Sequence, residues 1–172
     1  MFAVEHWDIV PDILTVAKGI ISSYLPLAAT IVKREVADHF AGKDNLLTHV
    51  FTFAGHPVAA AASLKNIEII ENEGMVQNSA ETGAYFVEQL SALQEDHPTI
   101  DNVRGLGLLM TVELVSDKET RAPFPPDVKI ASRLNDRFRE HGLIFRVRNE
   151  TLNIGPPLCI TRDEVDRIVH AI

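Results

Sequence analysis

The chain has 172 residues, of which 46% are hydrophobic and 23% are charged, and its formal net charge is -8. This composition supports one folded domain or two small ones with a real core, and it excludes a disordered chain. The acidic balance disfavours nucleic acid and anionic membranes as partners, although a phosphate ligand depends only on the local field at its site.

The cysteine and histidine content excludes two kinds of site. Cys159 is the single cysteine, so an internal disulfide is impossible, and we expect its thiol to be a small buried hydrophobe in a reducing compartment. The seven histidines include no i,i+4 pair, and one cysteine cannot build a structural zinc site, so no metal is predicted. The opening residues MFAVEHWD lack the basic region and apolar core of a signal peptide, which predicts a cytoplasmic protein.

The first informative stretch is PDILTVAKGIISSYLPL, residues 11–27. It predicts a strand over 13–17, a loop through Pro26 and a second strand over 27–33, with a short amphipathic piece over 34–41. Both apolar runs lack alternation, so we expect central strands covered on two faces, in a larger sheet than this chain supplies.

Lys18 is the only charge between residues 13 and 32. On length alone this run is a membrane-span candidate, but a central lysine costs roughly 2.5 to 3.5 kcal/mol on insertion scales and Pro26 interrupts a helix. Composition alone favours an ordinary solvated lysine after a strand. A lysine in an apolar site has another use, because an amine that sheds its proton near neutral pH can form a Schiff base with a carbonyl compound. Gly19 would leave room for a flat ligand.

Two packing helices are predicted in the middle of the chain. The first covers 56–73, with Pro57 in its first turn, Gly74 as its stop and an apolar stripe of Leu64, Ile67 and Ile70. The second covers 75–94, with one apolar side made of Val76, Ala80, Ala84, Val87 and Leu90 or Leu93.

The motif TFAGHP precedes the first of these helices. It places the Thr52 hydroxyl and a glycine where free backbone N–H groups and the helix dipole favour an anion. An ordinary helix entry with Thr52 in a turn explains the same residues.

Beyond residue 101 the pattern changes to short strands and turns. Residues 103–115 predict two strands around Gly105 and Gly107, which we interpret as a tight bend because the third glycine of a dinucleotide loop is missing. Apolar positions predict a helix over 126–142, namely Val128, Ala131, Leu134 and Phe138.

The chain is then predicted to end in paired strands and a helix. The strands cover 143–148 and 152–154, and Thr161 with Glu164 forms a capping box that opens the helix.

Five motifs together resemble one protein family. The PDILTVAKGIISSYLPL segment resembles the cofactor-lysine segment of class III aminotransferases, the pyridoxal-phosphate family that includes the ω-transaminases. FAVEHWD, TFAGHPVAAAAS, VRGLGLL and PPLCIT are similar to that family's landmarks and follow in its order. The resemblance implies an α/β fold in which the last part of a fold type I large domain, residues 1–58, precedes a small α+β domain, residues 59–172.

The resemblance also implies the site residues. Lys18 would hold pyridoxal 5'-phosphate as an internal aldimine and act as general base for the 1,3-proton shift, and Thr52 would bind the cofactor phosphate. Ten residues separate Arg146 from Pro156, which is the family's spacing between its substrate-carboxylate arginine and its PP motif. A guanidinium fork suits a carboxylate bidentately. Arg148, two residues on, is explained by a solvated strand face, and Val147 stands where the family commonly has proline.

The implied activity is ping-pong amino transfer by a homodimer. The donor would be an ω-amino acid or amine, and the acceptor a 2-oxo acid such as pyruvate or 2-oxoglutarate. The family's enzymes are longer, and this chain lacks the acid that pairs with the pyridinium nitrogen and the aromatic that stacks on the ring. We therefore expect the chain to be a C-terminal part that is inactive alone; a truncated, non-catalytic binding module is the alternative.

Overall fold

The computed structural model describes every residue from 1 to 172. The chain forms two compact units, residues 1–73 and 74–172. The predicted domain division between residues 58 and 59 stays a prediction. No helix is both long enough and apolar enough to cross a membrane.

The first unit is built on a two-stranded antiparallel sheet. Strand β1, Ile13–Ala17, pairs with β2, Ala28–Val32, and Thr15 lies opposite Thr30. These bounds confirm the predicted strand, loop and strand. The other elements of this unit are two short 3₁₀ turns and two helices: Ala3–Trp7, Lys18–Ile20, α1 at Arg34–Asp38 and α2 at Pro57–Asn72.

Neither strand of this sheet is covered within the chain. No residue of β1 or β2 is buried, and Ile13 and Ile31 are 57% and 50% exposed. The predicted coverage on two faces is therefore wrong for this chain, because the residues that fold here supply only two strands. The sequence feature behind the prediction is nevertheless present, since both faces of the two strands carry apolar side chains.

Helix α2 buries only part of the predicted apolar stripe, of which Ile70 is buried and Ile67 is half-buried. Leu64, expected in its apolar stripe, is 70% exposed, whereas Ala59, Ser63 and Ile70 are the buried residues of the helix. The inward face is thus made partly of small and polar side chains.

The second unit packs three helices with a four-stranded antiparallel sheet of order β3-β4-β6-β5. The strands are β3 at Ile100–Leu106, β4 at Leu109–Leu114, β5 at Arg146–Arg148 and β6 at Thr151–Ile154. The helices are α3 at Met75–Asp96, α4 at Ile130–Glu140 and α5 at Arg162–Ala171. The predicted capping box is confirmed, since Thr161 and Glu164 bond reciprocally at the start of α5.

The hydrophobic core of the chain lies in this second unit. Its fully buried members come from helices and from the two central strands: Phe86, Leu90, Met110, Val112, Leu152, Ile154 and Val165. Phe138 of α4 stacks edge-on against Phe145 at a centroid distance of 4.9 Å. This core holds the sheet that carries β5.

Three sequence-based expectations are corrected here. Helix α4 begins at Ile130 and not at 126, because Lys129 is left-handed with φ 49° and separates it from the 3₁₀ turn Pro126–Val128. Cys159 is exposed and not buried. In α3 the predicted face is only partly correct, since Leu90 is buried and Val87 packs against the core, whereas Val76, Ala80 and Ala84 are exposed. The other buried residues of α3 are Thr82, Gly83 and Phe86.

The small residues on the buried side of α3 have a steric reason, which lies in the contact between two glycines. A Cβ added to Gly83 would lie 2.2 Å from the Gly107 carbonyl oxygen. Gly107 has φ +55°, and the Leu108 N–H beside it donates to Ser79 Oγ at 3.3 Å. The tight bend predicted at GLG is therefore confirmed, and helix backbone lies directly against it.

Candidate active site

Lys18 lies immediately after β1, at the first position of the 3₁₀ turn Lys18–Ile20. Its φ is 55°, and Ser22 and Ser23 have φ of 47° and 62°. Left-handed non-glycine residues cost roughly 1 to 3 kcal/mol each and persist where surrounding contacts impose them. Lys18 is exposed. The expected apolar surroundings of Lys18 are thus wrong within this chain, for the same reason that the sheet is uncovered.

The Lys18 amine has no hydrogen-bond or salt-bridge partner, in contrast to the lysine at the end of β2. Lys33 Nζ pairs with an Asp12 carboxylate oxygen at 2.6 Å. The hydrogen bond from Lys33, with its charge, lowers the pKa of Asp12. Lys18 is therefore the amine beside this sheet that is free to react.

Lys18 lines an open cleft of about 1200 Å³ in the first unit. The walls come from both strands, from the loop between them and from the segment before α2. Besides Lys18 they include the hydroxyl-bearing residues Thr15, Thr30, Ser23 and Tyr24, and the segment residues Phe51, Phe53, Ala54 and Gly55.

Thr52 lies in the turn before α2, with an unbonded hydroxyl. The turn is closed by the Ala54 N–H donating to the Phe51 carbonyl at 3.0 Å. Phe51 and Phe53 on either side line the Lys18 cleft, but Thr52 is not part of its lining. The structure therefore brings the TFAGHP segment to the cleft and leaves the Thr52 hydroxyl outside it.

Helix α2 is bonded directly to the Lys18 turn. Asn66 Nδ2 donates to the Gly19 carbonyl at 3.0 Å, and Ser63 Oγ donates to the Ile20 carbonyl at 2.8 Å. Ser22 Oγ donates to Asn66 Oδ1 at 2.7 Å. Both ends of the Asn66 amide are thus used, and the carbonyls of the two residues after Lys18 each accept a hydrogen bond from a side chain of α2.

Sequence reasoning missed Ser63 and Asn66. Their i,i+3 spacing places them on one face of a helix, and two polar residues on the side facing a proposed ligand loop are the signal that was available. Ile67 and Ile70 of the predicted apolar stripe lie four residues beyond Ser63 and Asn66, so the polar pair lies on the same side of the helix as these two apolar residues.

Arg146 belongs to the second unit, as the first residue of β5. It pairs in register with Asn153 of β6, whose side-chain amide donates to the Arg146 carbonyl at 3.5 Å. Arg146 and Arg148 are both exposed while Val147 is half-buried, so the two arginines lie on the solvent-facing side of the strand. The Arg146 guanidinium makes no salt bridge and is available to an anion.

The family model Aminotransferase class-III matches residues 1–172. The chain belongs to the class III aminotransferases. It is 40% identical over 173 residues to the diaminobutyrate–2-oxoglutarate transaminase of Halomonas elongata, a match that covers 98% of this chain and 37% of that protein.

Solved transaminases have the same fold. An (S)-enantioselective ω-transaminase from Thermomicrobium roseum matches with a TM-score of 0.92 and 39% identity, over 98% of this chain and 37% of the other. An amine transaminase from an uncultivated Pseudomonas species, in a PLP-bound internal aldimine form, matches with a TM-score of 0.89 and 39% identity, over 97% and 38%. The fold is the α/β fold of the fold type I PLP-dependent transaminases, and the chain spans well under half the length of these relatives.

The residues of the first unit fit pyridoxal 5'-phosphate, the cofactor of class III aminotransferases. A free lysine amine for the aldehyde projects from a left-handed turn at the wall of a cleft large enough for a substituted pyridine ring. Hydroxyl and aromatic side chains line the same cleft. The donor set therefore suits a flat, polar aldehyde held covalently at Lys18.

Proposed function

We propose that the intact protein is a transaminase that transfers an amino group from an ω-amino acid or amine to a 2-oxo acid such as pyruvate. The observation that carries this proposal is the unpaired Lys18 amine, which lines the cleft in a chain matched over its whole length by the class III family model. The ω-transaminase and amine transaminase among its structural neighbours support the donor class.

Lys18 would both hold the cofactor and move a proton. Its Nζ would bind the cofactor covalently and give place to the substrate amine. It would then take the proton from the carbon that carries the substrate's amino group and return it in the 1,3-shift. Bound pyridoxal phosphate supplies the electron sink that makes this carbon acidic.

Arg146 would orient the substrate by its carboxylate, and Thr52 would hold the cofactor phosphate. Both side chains are exposed and unbonded in this chain, so each can donate to an anionic oxygen. The proposed cycle is of the ping-pong type, because donor and acceptor would react in turn with the same cofactor at Lys18.

We further propose that these 172 residues are a C-terminal part of the catalytic polypeptide and act in a homodimer. Their match to about 37% of the Halomonas transaminase supports the first statement. The uncovered sheet and the exposed Phe51 and Phe53, 68% and 82% exposed, support the second. The chain alone would then leave the cofactor with too few contacts for turnover.

Borohydride reduction tests the assignment of Lys18. The intact protein is incubated with pyridoxal phosphate, reduced and mapped by mass spectrometry, and the pyridoxyl group should lie on the peptide that contains Lys18. A Lys33→Ala variant is the matched control and should label as the wild type does, because Lys33 is engaged with Asp12.

Two other results would contradict the proposal. Label on Lys33 or Lys43 would show that another lysine holds the cofactor. No stoichiometric label at all, together with no amino transfer, would favour a non-catalytic binding module.

A further inference from the structure

We propose that Ser63 and Asn66 of α2 are positioning residues for Lys18. Their side chains hold the turn that carries the reactive amine, and they act through Lys18 without touching substrate. The inference rests on the proposed function in one respect, namely that Lys18 is the residue that binds the cofactor.

The turn that begins at Lys18 has a strained backbone conformation. Lys18, Ser22 and Ser23 are left-handed non-glycine residues within six positions of the chain, at φ of 55°, 47° and 62°. Such a turn relaxes unless other groups fix its peptide units. Within the turn, the Ile21 N–H donates to the Lys18 carbonyl at 3.1 Å, and the Tyr24 N–H donates to the Ile21 carbonyl at 3.1 Å.

Helix α2 donates two side-chain hydrogen bonds to this turn. Asn66 Nδ2 reaches the Gly19 carbonyl at 3.0 Å and Ser63 Oγ reaches the Ile20 carbonyl at 2.8 Å, so two consecutive carbonyls after Lys18 are held from the same helix. Ser63 is 7% exposed, which shields its bond from water. The Asn66 orientation follows from chemistry, since a carbonyl can only accept and Ser22 Oγ donates to the other end of the amide.

Fixing this turn affects what Lys18 can do during the reaction. Lys18 must work in two states, bound to the cofactor and released as a proton carrier, and the released amine has to stay at the cleft. A rigid turn limits the loss of orientation on release, and positioned groups of this kind raise the rate without raising affinity. If the two hydrogen bonds from α2 served only to stabilise the fold, their removal would not change the orientation or the reactivity of the Lys18 amine.

The experiment compares Asn66→Ala, Asn66→Asp and Ser63→Ala with Asn72→Ala in the intact, cofactor-loaded protein. Asn72 lies on the same helix, is exposed and makes no side-chain hydrogen bond, so it is the matched control. Asn66→Asp keeps the size and the acceptor for Ser22 but loses the donor to Gly19. Ser63→Thr retains a hydroxyl and should keep wild-type behaviour.

We expect kcat to fall about 2-fold to 10-fold in the three variants that lose a bond, the rate equivalent of one neutral hydrogen bond, while KM for the donor changes little. The same three variants should also change the visible circular dichroism of the bound cofactor, because this signal reports the orientation of its ring. Asn72→Ala should leave both readouts unchanged.

A second readout uses the cofactor-free protein. Labelling by an amine-reactive reagent is mapped on Lys18 and Lys33, and the ratio of the two should shift several-fold in Asn66→Ala and not in Asn72→Ala. Identical ratios, dichroism and kcat/KM splits in the Asn66 and Asn72 variants would overturn the inference.

The outcomes separate this inference from the proposed function. If borohydride fixes no pyridoxyl group on Lys18 even in the wild type, the proposed function fails, and the labelling ratio of the cofactor-free protein still decides whether Asn66 positions the amine. If Lys18 is labelled in every variant and nothing else changes, the positioning role alone fails.

Discussion

Arg146 is a single exposed guanidinium without a salt bridge, on the first residue of β5. We expect Arg146→Ala to raise KM for carboxylate substrates and to leave simple amines largely unaffected, because only the former present an anion to the fork. Loss of one bidentate charge-assisted pair should cost about 1.5 to 3 kcal/mol of binding free energy. Steady-state kinetics with paired carboxylate and amine donors measure this difference.

Arg148 provides the matched control for that measurement. It lies on the same exposed face of the same strand, two residues on, and pairs with Thr151. Arg148→Ala should leave both KM values near those of the wild type. If Arg148→Ala shows the carboxylate-specific effect and Arg146→Ala does not, the assignment by spacing to Pro156 is wrong by one alternation of the strand.

For single residues, the sequence is enough to identify candidates by their chemistry, but it does not reveal their backbone conformation or their hydrogen-bond partners. Lys18 could be found because one charge in an apolar run is conspicuous, yet its left-handed backbone depends on tertiary contacts. Ser63 and Asn66 act on carbonyls 43 and 47 residues away in the chain. No local pattern encodes such a bond, so only the fold reveals it.

Among whole elements, the contact between α3 and the β3–β4 turn is the most sterically demanding. We expect Gly83→Ala to destabilise the second unit by about 1 to 3 kcal/mol, because overpacking against atoms that cannot move has this typical cost. The added Cβ would meet Gly107 backbone atoms at 2.2 Å, 2.3 Å and 2.8 Å, and none belongs to a flexible side chain. Hydrogen exchange of the β3 and β4 amides in the intact protein measures the loss.

Gly155→Ala is the control for that substitution. It lies in the same unit, and a Cβ there would meet nothing within 4 Å. Its effect should stay within about 0.5 kcal/mol, as for other surface substitutions. Equal protection of β3 and β4 in the two variants would mean that α3 can move away from the turn at no cost.

The same helix shows why the existence of elements was easier to predict than their buried faces. Helix α3 was expected over 75–94 and covers Met75–Asp96, since a long apolar period is visible locally. Its buried face contains Thr82 and Gly83, which a hydrophobicity pattern does not mark as core. Close approach to Gly107 selects small residues there, and that requirement arises only once the sheet has formed.

For the whole molecule, the two units differ in how they are stabilised. The second unit contains the hydrophobic core, from Phe86 to Val165. The first unit exposes apolar residues on both faces of its sheet and along the segment before α2, with Phe53 82% exposed. This exposed apolar surface is the observation on which the proposed homodimer rests.

The last prediction concerns Thr52, which we propose completes the phosphate site of the partner subunit. Thr52 is exposed, its hydroxyl is unbonded, and it lies outside the lining of the Lys18 cleft of its own chain although Phe51 and Phe53 line it. Thr52→Ala should weaken cofactor binding by about 1 to 3 kcal/mol, the value for a hydrogen bond to a charged group. The equilibrium affinity of the intact protein for pyridoxal phosphate measures that loss, and this affinity should also fall when the protein is diluted into monomers.

Mixed dimers decide between the two arrangements. Lys18→Ala and Thr52→Ala variants are combined and assayed at a cofactor concentration too low to load Thr52→Ala homodimers. If Thr52 serves the partner's cofactor, one site of each mixed dimer contains both native residues and activity returns, while the other site contains both substitutions. If Thr52 serves the cofactor of its own chain, every site has one defect and mixing restores nothing.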